Sequence, residues 1–264
     1  MTFKAHYQAK KSFFFDGLNT YMSKSSPGAG AANCNPAHNE DFSVSFWCQA
    51  GSSSADLGIW HNNYANASNM EGFSIRINSG GNLQLNCEGS DGFNRKIYSV
   101  FNRPFNTQNV GYWHGVVTYS GATTGAAIEN TRFYIEGGLV EGTGSGAVGT
   151  ISNTTHPVEI GRRGSSASGS TLFYSGYFEG SLTHVAFFNK VLSEEDVREI
   201  FLGRDGTRGP GNLLRHSAAS NLKGYWIADN PSDAYNGTVY DQSGNSKDMT
   251  PSNFASTEHY VGGP

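Results

Sequence analysis

Three acids spaced as Glu194, Asp196 and Glu199 form the grouping in this chain closest to a catalytic pattern. Retaining cleavage of a glycosidic bond needs two carboxylates about 5–5.5 Å apart, one as nucleophile and one as general acid. A strand would supply that, because residues two apart share a face. Here the surrounding residues are Leu192-Ser193-Glu194-Glu195-Asp196-Val197-Arg198-Glu199-Ile200-Phe201. Ser193 stands where an N-cap belongs, acids fill the first turn, and Leu192, Val197, Ile200 and Phe201 form an apolar stripe that Gly203 ends. On a helix, Asp196 and Glu199 point about 200° and about 140° away from Glu194. The three do not converge on one sugar, and no catalytic residue is assigned.

Other catalytic templates are absent from the sequence: no Gly-x-Ser-x-Gly elbow, no His-Glu-x-x-His, and no glycine-rich phosphate cradle. The eight histidines are scattered. His114 lies inside an apolar run and reads as a hydrogen-bonded structural imidazole. Cys34, Cys48 and Cys87 have no metal-ligand spacing, and an odd count is no disulfide framework. They read as buried thiols of a reducing compartment. No metal residue is assigned.

Net charge is −4, with no basic cluster of the kind that nucleic acid or an anionic membrane would require. No stretch of eighteen apolar residues is present. Met1 to Lys11 lacks an apolar core, so no secretion signal is expected. Only 15% of residues are charged, 13% are aromatic and 34 are glycine. That mixture suits short strands joined by tight turns, an all-β sandwich.

The strand candidates follow. Asp41 to Gln49 alternates, with Phe42, Val44, Phe46 and Cys48 on one face and Ser43, Ser45 and Trp47 on the other. Ser12–Phe15, Gly72–Asn78, Lys96–Phe101, Val110–Tyr119, Thr131–Glu136, Pro157–Gly161 and Gly176–Asn189 complete the set, with Leu83 and Leu85 sharing a face. Gly161 to Ser170 reads as an exposed loop. The one helix spans 193–202. Arg204 to Gly211 reads as a linker, followed by a strand at Leu222–Ile227 and a polar turn at Asp241–Asn245.

Taken in order, these segments resemble a laminin-G-like domain of the concanavalin/pentraxin superfamily. The matching pieces are Phe14-Phe15-Asp16-Gly17, Phe42-Ser43-Val44-Ser45-Phe46-Trp47, Tyr112-Trp113-His114-Gly115-Val116-Val117, Arg132-Phe133-Tyr134-Ile135-Glu136-Gly137, Ile160-Gly161-Arg162, Phe178-Glu179-Gly180-Ser181-Leu182 and Phe187-Phe188-Asn189-Lys190-Val191-Leu192-Ser193. They cover about residues 12–202. The fold implied is a two-sheet antiparallel jelly roll over 1–203. Residues 204–264 then form an appendage on its own or a neighbouring sandwich. Asn221-Leu222-Lys223-Gly224-Tyr225-Trp226 and Asp241-Gln242-Ser243-Gly244-Asn245 resemble a strand and turn that often open such a domain. Where the family shows an acid pair, this chain has Thr183-His184.

The resemblance implies binding rather than catalysis. Aromatics of such domains stack on pyranose faces while amides bond hydroxyls, and Trp60, His61, Asn62 and Tyr64, read as a loop, carry that chemistry. Some members hold structural Ca²⁺ at the rim. Asp16, Asp56, Asp91 and Asp229 have the right oxygens, but no spacing selects among them, and turn-capping is their ordinary role. No other cofactor is implied. The arrangement is also similar to laminin-G-like structural proteins of tailed bacteriophages. That implies a virion surface protein, a head decoration or tail or fibre component, made in the host cytoplasm. Its partners would be copies of itself, other virion proteins and surface glycans. A stand-alone lectin or adhesin module is the alternative, and a glycan-cleaving enzyme a third.

Overall fold

The computed structural model describes residues 11–51, 56–66, 69–89, 94–102, 111–121, 129–144, 149–151, 156–168, 171–203, 206, 208–228, 237–254 and 260–262. Two antiparallel sheets face each other. Sheet A runs β11 (Gly138–Val140), β10 (Thr131–Ile135), β9 (Trp113–Tyr119), β3 (Phe42–Ala50), β16 (Glu179–Phe188), β1 (Lys11–Asp16) and β19 (Tyr260–Gly262). The second half of β16 pairs instead with β17 (Leu222–Trp226). Sheet B runs β12 (Gly142–Gly144), β8 (Asn94–Asn102), β7 (Asn82–Glu88), β6 (Asn69–Ile77), β4 (Leu57–His61), β13 (Val158–Ile160), β2 (Tyr21–Lys24) and β18 (Thr250–Ser252). A short strand, β5 (Tyr64–Asn66), also pairs with β6.

Strand alternation decides which side chains meet between the sheets. Phe42, Val44, Phe46 and Cys48 of β3 point inward with Phe187 of β16, facing Ile75, Leu83, Leu85 and Trp60 of sheet B. Phe42 stacks on Phe187 at 5.7 Å and lies 5.9 Å from Trp60, an aromatic centre that buries large apolar areas.

The outer face of sheet A has its own cover. Val116, Tyr134, Ala186 and Phe188 pack beneath Val197 and Ile200 of the helix α1 (Glu194–Leu202), together with Leu213, Ala218, Leu222 and Tyr225. The helix begins as expected: Ser193 accepts from the amide of Asp196, and Asp196 accepts from that of Ser193, a reciprocal capping box. Trp47, on the outer face of β3, stacks on Phe201 at 5.9 Å. Arg208, in the segment expected to be a linker, instead bonds the carbonyl of Tyr112 and the carboxylate of Glu136, clamping the chain to the sheet. Residues 204, 205 and 207 lie outside the described residues.

The C-terminal segment docks on its own sandwich. It adds β17 and β19 to sheet A and β18 to sheet B, and it sends Trp226, Val239 and Met249 into the central core. In the departure at Thr183-His184, the ladder between β16 and β3 shifts register, and His184 adopts a left-handed φ of 50°. Its ring is buried beside Tyr225.

A second correction concerns residues 161–170. Most of the expected exposed loop is β14 (Arg163–Ser168), which forms a hairpin with β15 (Thr171–Ser175) and lies across β4, β5 and β6. Gly58 shows how closely it lies: a Cβ there would stand 2.4 Å from the carbonyl carbon of Arg162. The three cysteines are buried and form no disulfide.

Candidate functional site

The four residues expected to form an exposed binding loop are buried, which corrects that picture. Trp60, near the end of β4, is 0% exposed and points into the core through the irregularity that separates Gly58 from Trp60 in the ladder with β6. Asn62 donates to Asn35 Oδ1 (2.9 Å) and the Pro36 carbonyl and accepts from the amide of Phe73 (2.7 Å), so its amide is consumed in holding a turn. Tyr64 donates to Glu71 and stacks on His156 at 3.5 Å. Of the four, only His61 belongs to a polar cluster reaching toward the surface.

That cluster lies on the outer face of sheet B. His61 and Glu159 are cross-strand partners on β4 and β13, with Val158 and Ile160 facing the core on either side. His61 Nδ1 accepts from the amide of Asn63 (3.1 Å), which places the ring proton on Nε2, and Nε2 donates to Glu159 Oε2 (2.8 Å). Arg162 completes the carboxylate bidentately, Nε to Oε2 at 2.8 Å and Nη2 to Oε1 at 2.7 Å. Burial would raise the Glu159 carboxyl, but the His61 and Arg162 hydrogen bonds outweigh it and hold the group down at about 2.

The guanidinium is itself sandwiched. Its carbon lies 3.3 Å from the ring centre of Tyr21 and 3.5 Å from that of Tyr174. Burial and then Glu159 push the Tyr174 hydroxyl up to about 12, so it remains a donor throughout the physiological range. Both tyrosines are partly exposed, and Phe173, next along β15, is 50% exposed. A surface of aromatic rings is thus braced from beneath by a buried charged triad. Arg162→Ala would leave Glu159 buried with one partner. It is expected to destabilise the protein by about 3–5 kcal/mol, read as a shift in urea midpoint; an unchanged midpoint would contradict the bracing role.

The other sequence candidates serve turns and pairs. Asp16 Oδ1 accepts the amides of Leu18, Asn19 and Thr20. Asp56 holds Arg76 (2.5 Å) and Arg163 (3.1 Å) and accepts the amide of Ser79. Asp91 and Asp229 lie outside the described residues. Among the described residues no cluster of His, Cys, Asp and Glu has metal-binding geometry. Glu194, Asp196 and Glu199 diverge on α1 as their helical spacing requires, with Asp196 spent on the cap and on Lys190. A groove of about 710 Å³ lies between the β10–β11 turn and α1, but of its three acids Glu194 and Glu195 stand exposed in the first turn of the helix and Glu136 is held by Arg208.

Sequence reasoning missed Arg162 and Tyr174. The available signal was the run Leu172-Phe173-Tyr174, three large apolar or aromatic residues in an otherwise Gly- and Ser-rich stretch.

A structure from Bacteroides ovatus described as a "putative carbohydrate binding protein" superposes with a TM-score of 0.59 at 17% identity, over 93% of this chain and 58% of that one. This chain therefore spans little more than half of that relative's length. A heptameric SAP-like pentraxin from Limulus polyphemus gives 0.47 at 14% identity, covering 79% of this chain and 90% of that chain. A CBM40 module of a Ruminococcus gnavus IT-sialidase gives 0.46 at 18%, covering 74% and 95%. No curated protein matches the sequence. The model of one laminin-G-like family matches residues 24–198, two thirds of the chain, including strands β3 to β16. On that match the chain belongs to this laminin-G-like family of the concanavalin A-like lectin/glucanases superfamily.

Proposed function

We propose that this protein binds glycans, without cleaving them, through the outer face of sheet B around Tyr21, Arg162 and Tyr174. The superfamily description, which names lectins and glucanases, supports a sugar ligand, and the bracing of two tyrosines by a buried triad is the observation that supports the placement. A buried ion pair is seldom the cheapest way to stabilise a fold, since well-packed apolar residues do as well or better. Its presence under partly exposed rings supports a role in fixing their orientation. Binding rather than cleavage is favoured because the carboxylates on this face are engaged: Glu159 with Arg162, Asp56 with two arginines, Glu88 with Asn63.

The full chain applied to an array of neutral and acidic oligosaccharides is expected to bind at least one, with micromolar to millimolar Kd. Tyr174→Ala should weaken that binding about tenfold while circular dichroism stays unchanged, in line with the energy of a ring contact. Failure to bind any glycan on the array overturns the proposal. The narrower reading as a virion surface subunit stands second. It rests on the resemblance of the ordered motifs to laminin-G-like structural proteins of tailed bacteriophages.

A further inference from the structure

We infer that the β14–β15 hairpin is a hinged lid over a covered, second stretch of binding face that takes an uncharged, hydroxyl-rich sugar segment. The identity of that ligand rests on the glycan reading above; the lid does not.

The hairpin is a two-stranded sheet of its own, joined to sheet B by no ladder pairing among the described residues. It nevertheless lies flat on it. The chain at Arg162–Arg163 crosses directly over Gly58, and Gly164 sits on Asn63 and Met70. Below lie Ser74 and Arg76 of β6 and Asn63, none more than 4% exposed. Ser74 and Asn86 are direct cross-strand partners on this face, with Arg76 opposite Gln84 beside them.

Within this floor Asn63 Oδ1 and Ser74 Oγ have no hydrogen-bond partner among the described residues. Native interiors satisfy nearly all such atoms, and each exception costs desolvation free energy with nothing in return. The closed hairpin therefore dries the floor without serving it. One orphan is an acceptor and the other a hydroxyl that both donates and accepts. Sugar hydroxyls offer the same duality. The charges present are already paired, Arg76 with Asp56 and Glu88 with Asn63, which selects a neutral segment.

The means of opening is local. Gly161 (φ 93°) and Gly176 (φ 60°) flank the hairpin in backbone conformations that favour glycine. At and outside these two points the chain is fixed by main-chain bonds, Gly161 N to the Ile59 carbonyl, Phe178 N to the Gly161 carbonyl and Gly58 N to the Gly176 carbonyl. Arg162 stays on Glu159 of the body, and from Arg163 to Gly176 the ties to the body, among the described residues, are side-chain contacts such as Arg163 to Asp56 and Tyr174 to Arg162. Lifting the hairpin breaks no sheet ladder of the described strands.

A reversible lock tests this. A Cβ at Gly164 would lie 3.1 Å from that of Asn63, a few tenths short of disulfide spacing, and its other close neighbours are the flexible ends of Met70 and Leu172. The three native cysteines are buried, which limits their competition for the new pair. In Gly164→Cys/Asn63→Cys, the β14–β15 amides of the oxidised protein should exchange at least tenfold more slowly than those of the same protein after reduction. Equal exchange in the two redox forms overturns the lid. In the unmodified full chain, hydrogen exchange followed by mass spectrometry should show β14–β15 amides exchanging about 100-fold faster than those of β6 and β7. Equal protection overturns the lid whether or not a ligand is found. Absence of glycan binding by the unmodified protein sinks the glycan reading instead, and the exchange rates still judge the hinge.

Discussion

Truncation after Gly203 is expected to leave a chain with no cooperative unfolding transition. The laminin-G-like motifs end near residue 202, so a chain stopping there would contain all of them. It would nevertheless lack structural pieces of both cores. Trp226, Ala228, Val239 and Met249 sit between the sheets, and Leu213, Ala218, Leu222 and Tyr225 complete the layer over sheet A. At about 1.5–3 kcal/mol for each large apolar side chain, the lost burial is of the order of 10 kcal/mol. That is comparable with the whole stability of a domain, about 5–15 kcal/mol.

Removal also strips β17 from the second half of β16 and leaves that strand's ladder groups unpaired. The indole of Trp226 donates to the Lys247 carbonyl (2.9 Å), and Lys247 in turn bonds the Pro27 carbonyl and Asn33. The tail is therefore tied to the first forty residues. Thermal melts by circular dichroism check the expectation, and a truncated chain that melts sharply as a monomer contradicts it. Light scattering on the full chain adds the subunit question. A trimer or larger assembly supports the virion reading, whereas a monomer supports a stand-alone binding module.

Acid is the second large effect. His114 and His184 lie in the layer between sheet A and its cover, at 0% and 2% exposure. Burial drives both imidazoles down from 6.5 to about 3; Arg208 and then His184 add to the effect on His114. His114 Nε2 meets Ser45 Oγ at 2.9 Å, while its Nδ1 has no partner among the described residues that could stabilise a proton there. In the unfolded chain these rings bind protons near pH 6.5, and in the folded chain only near pH 3. Stability is therefore complete above the unfolded value and falls as the pH drops between the two.

The slope is about 1.4 kcal/mol per histidine per pH unit, or roughly 5 kcal/mol for the pair by about pH 4.5. Glu159 and Asp196, both held at about 2, add their loss only below the ordinary carboxylate values of 4.5 and 3.8. The two windows are separable. Melting temperatures at about pH 7, 5.5 and 4.5 should fall steeply. The double variant His114→Gln/His184→Asn should flatten that fall, asparagine being chosen because it tolerates a left-handed φ. A wild-type melting temperature that stays constant across that range would falsify the assignment.

How much of this was legible depends on the range of the determining interaction. The alternation of Phe42 to Gln49 names its inward face because a strand has period two, and Phe42, Val44, Phe46 and Cys48 are indeed the buried set between the sheets. Ser193 and the acids after it mark a helix start because capping acts within one turn, and the order of the motifs identified the jelly roll. Trp60 to Tyr64 misled because an aromatic among amides and turns looks the same to local reading whether it faces solvent or core. A register irregularity in β4 turned Trp60 inward, and Glu159 and Arg162, about a hundred residues away, took His61 into a triad. Glycine and serine content made 161–170 look like a loop, although hairpin pairing is set by the partner strand Thr171–Ser175. The docking of the tail in cis was equally invisible, since its edge partners are β1, β2 and β16. The sequence by itself determined the elements and which of their faces are apolar, through interactions a few residues in range. The tertiary structure alone decided what covers each face, because burial and pairing depend on residues that only the completed fold brings together.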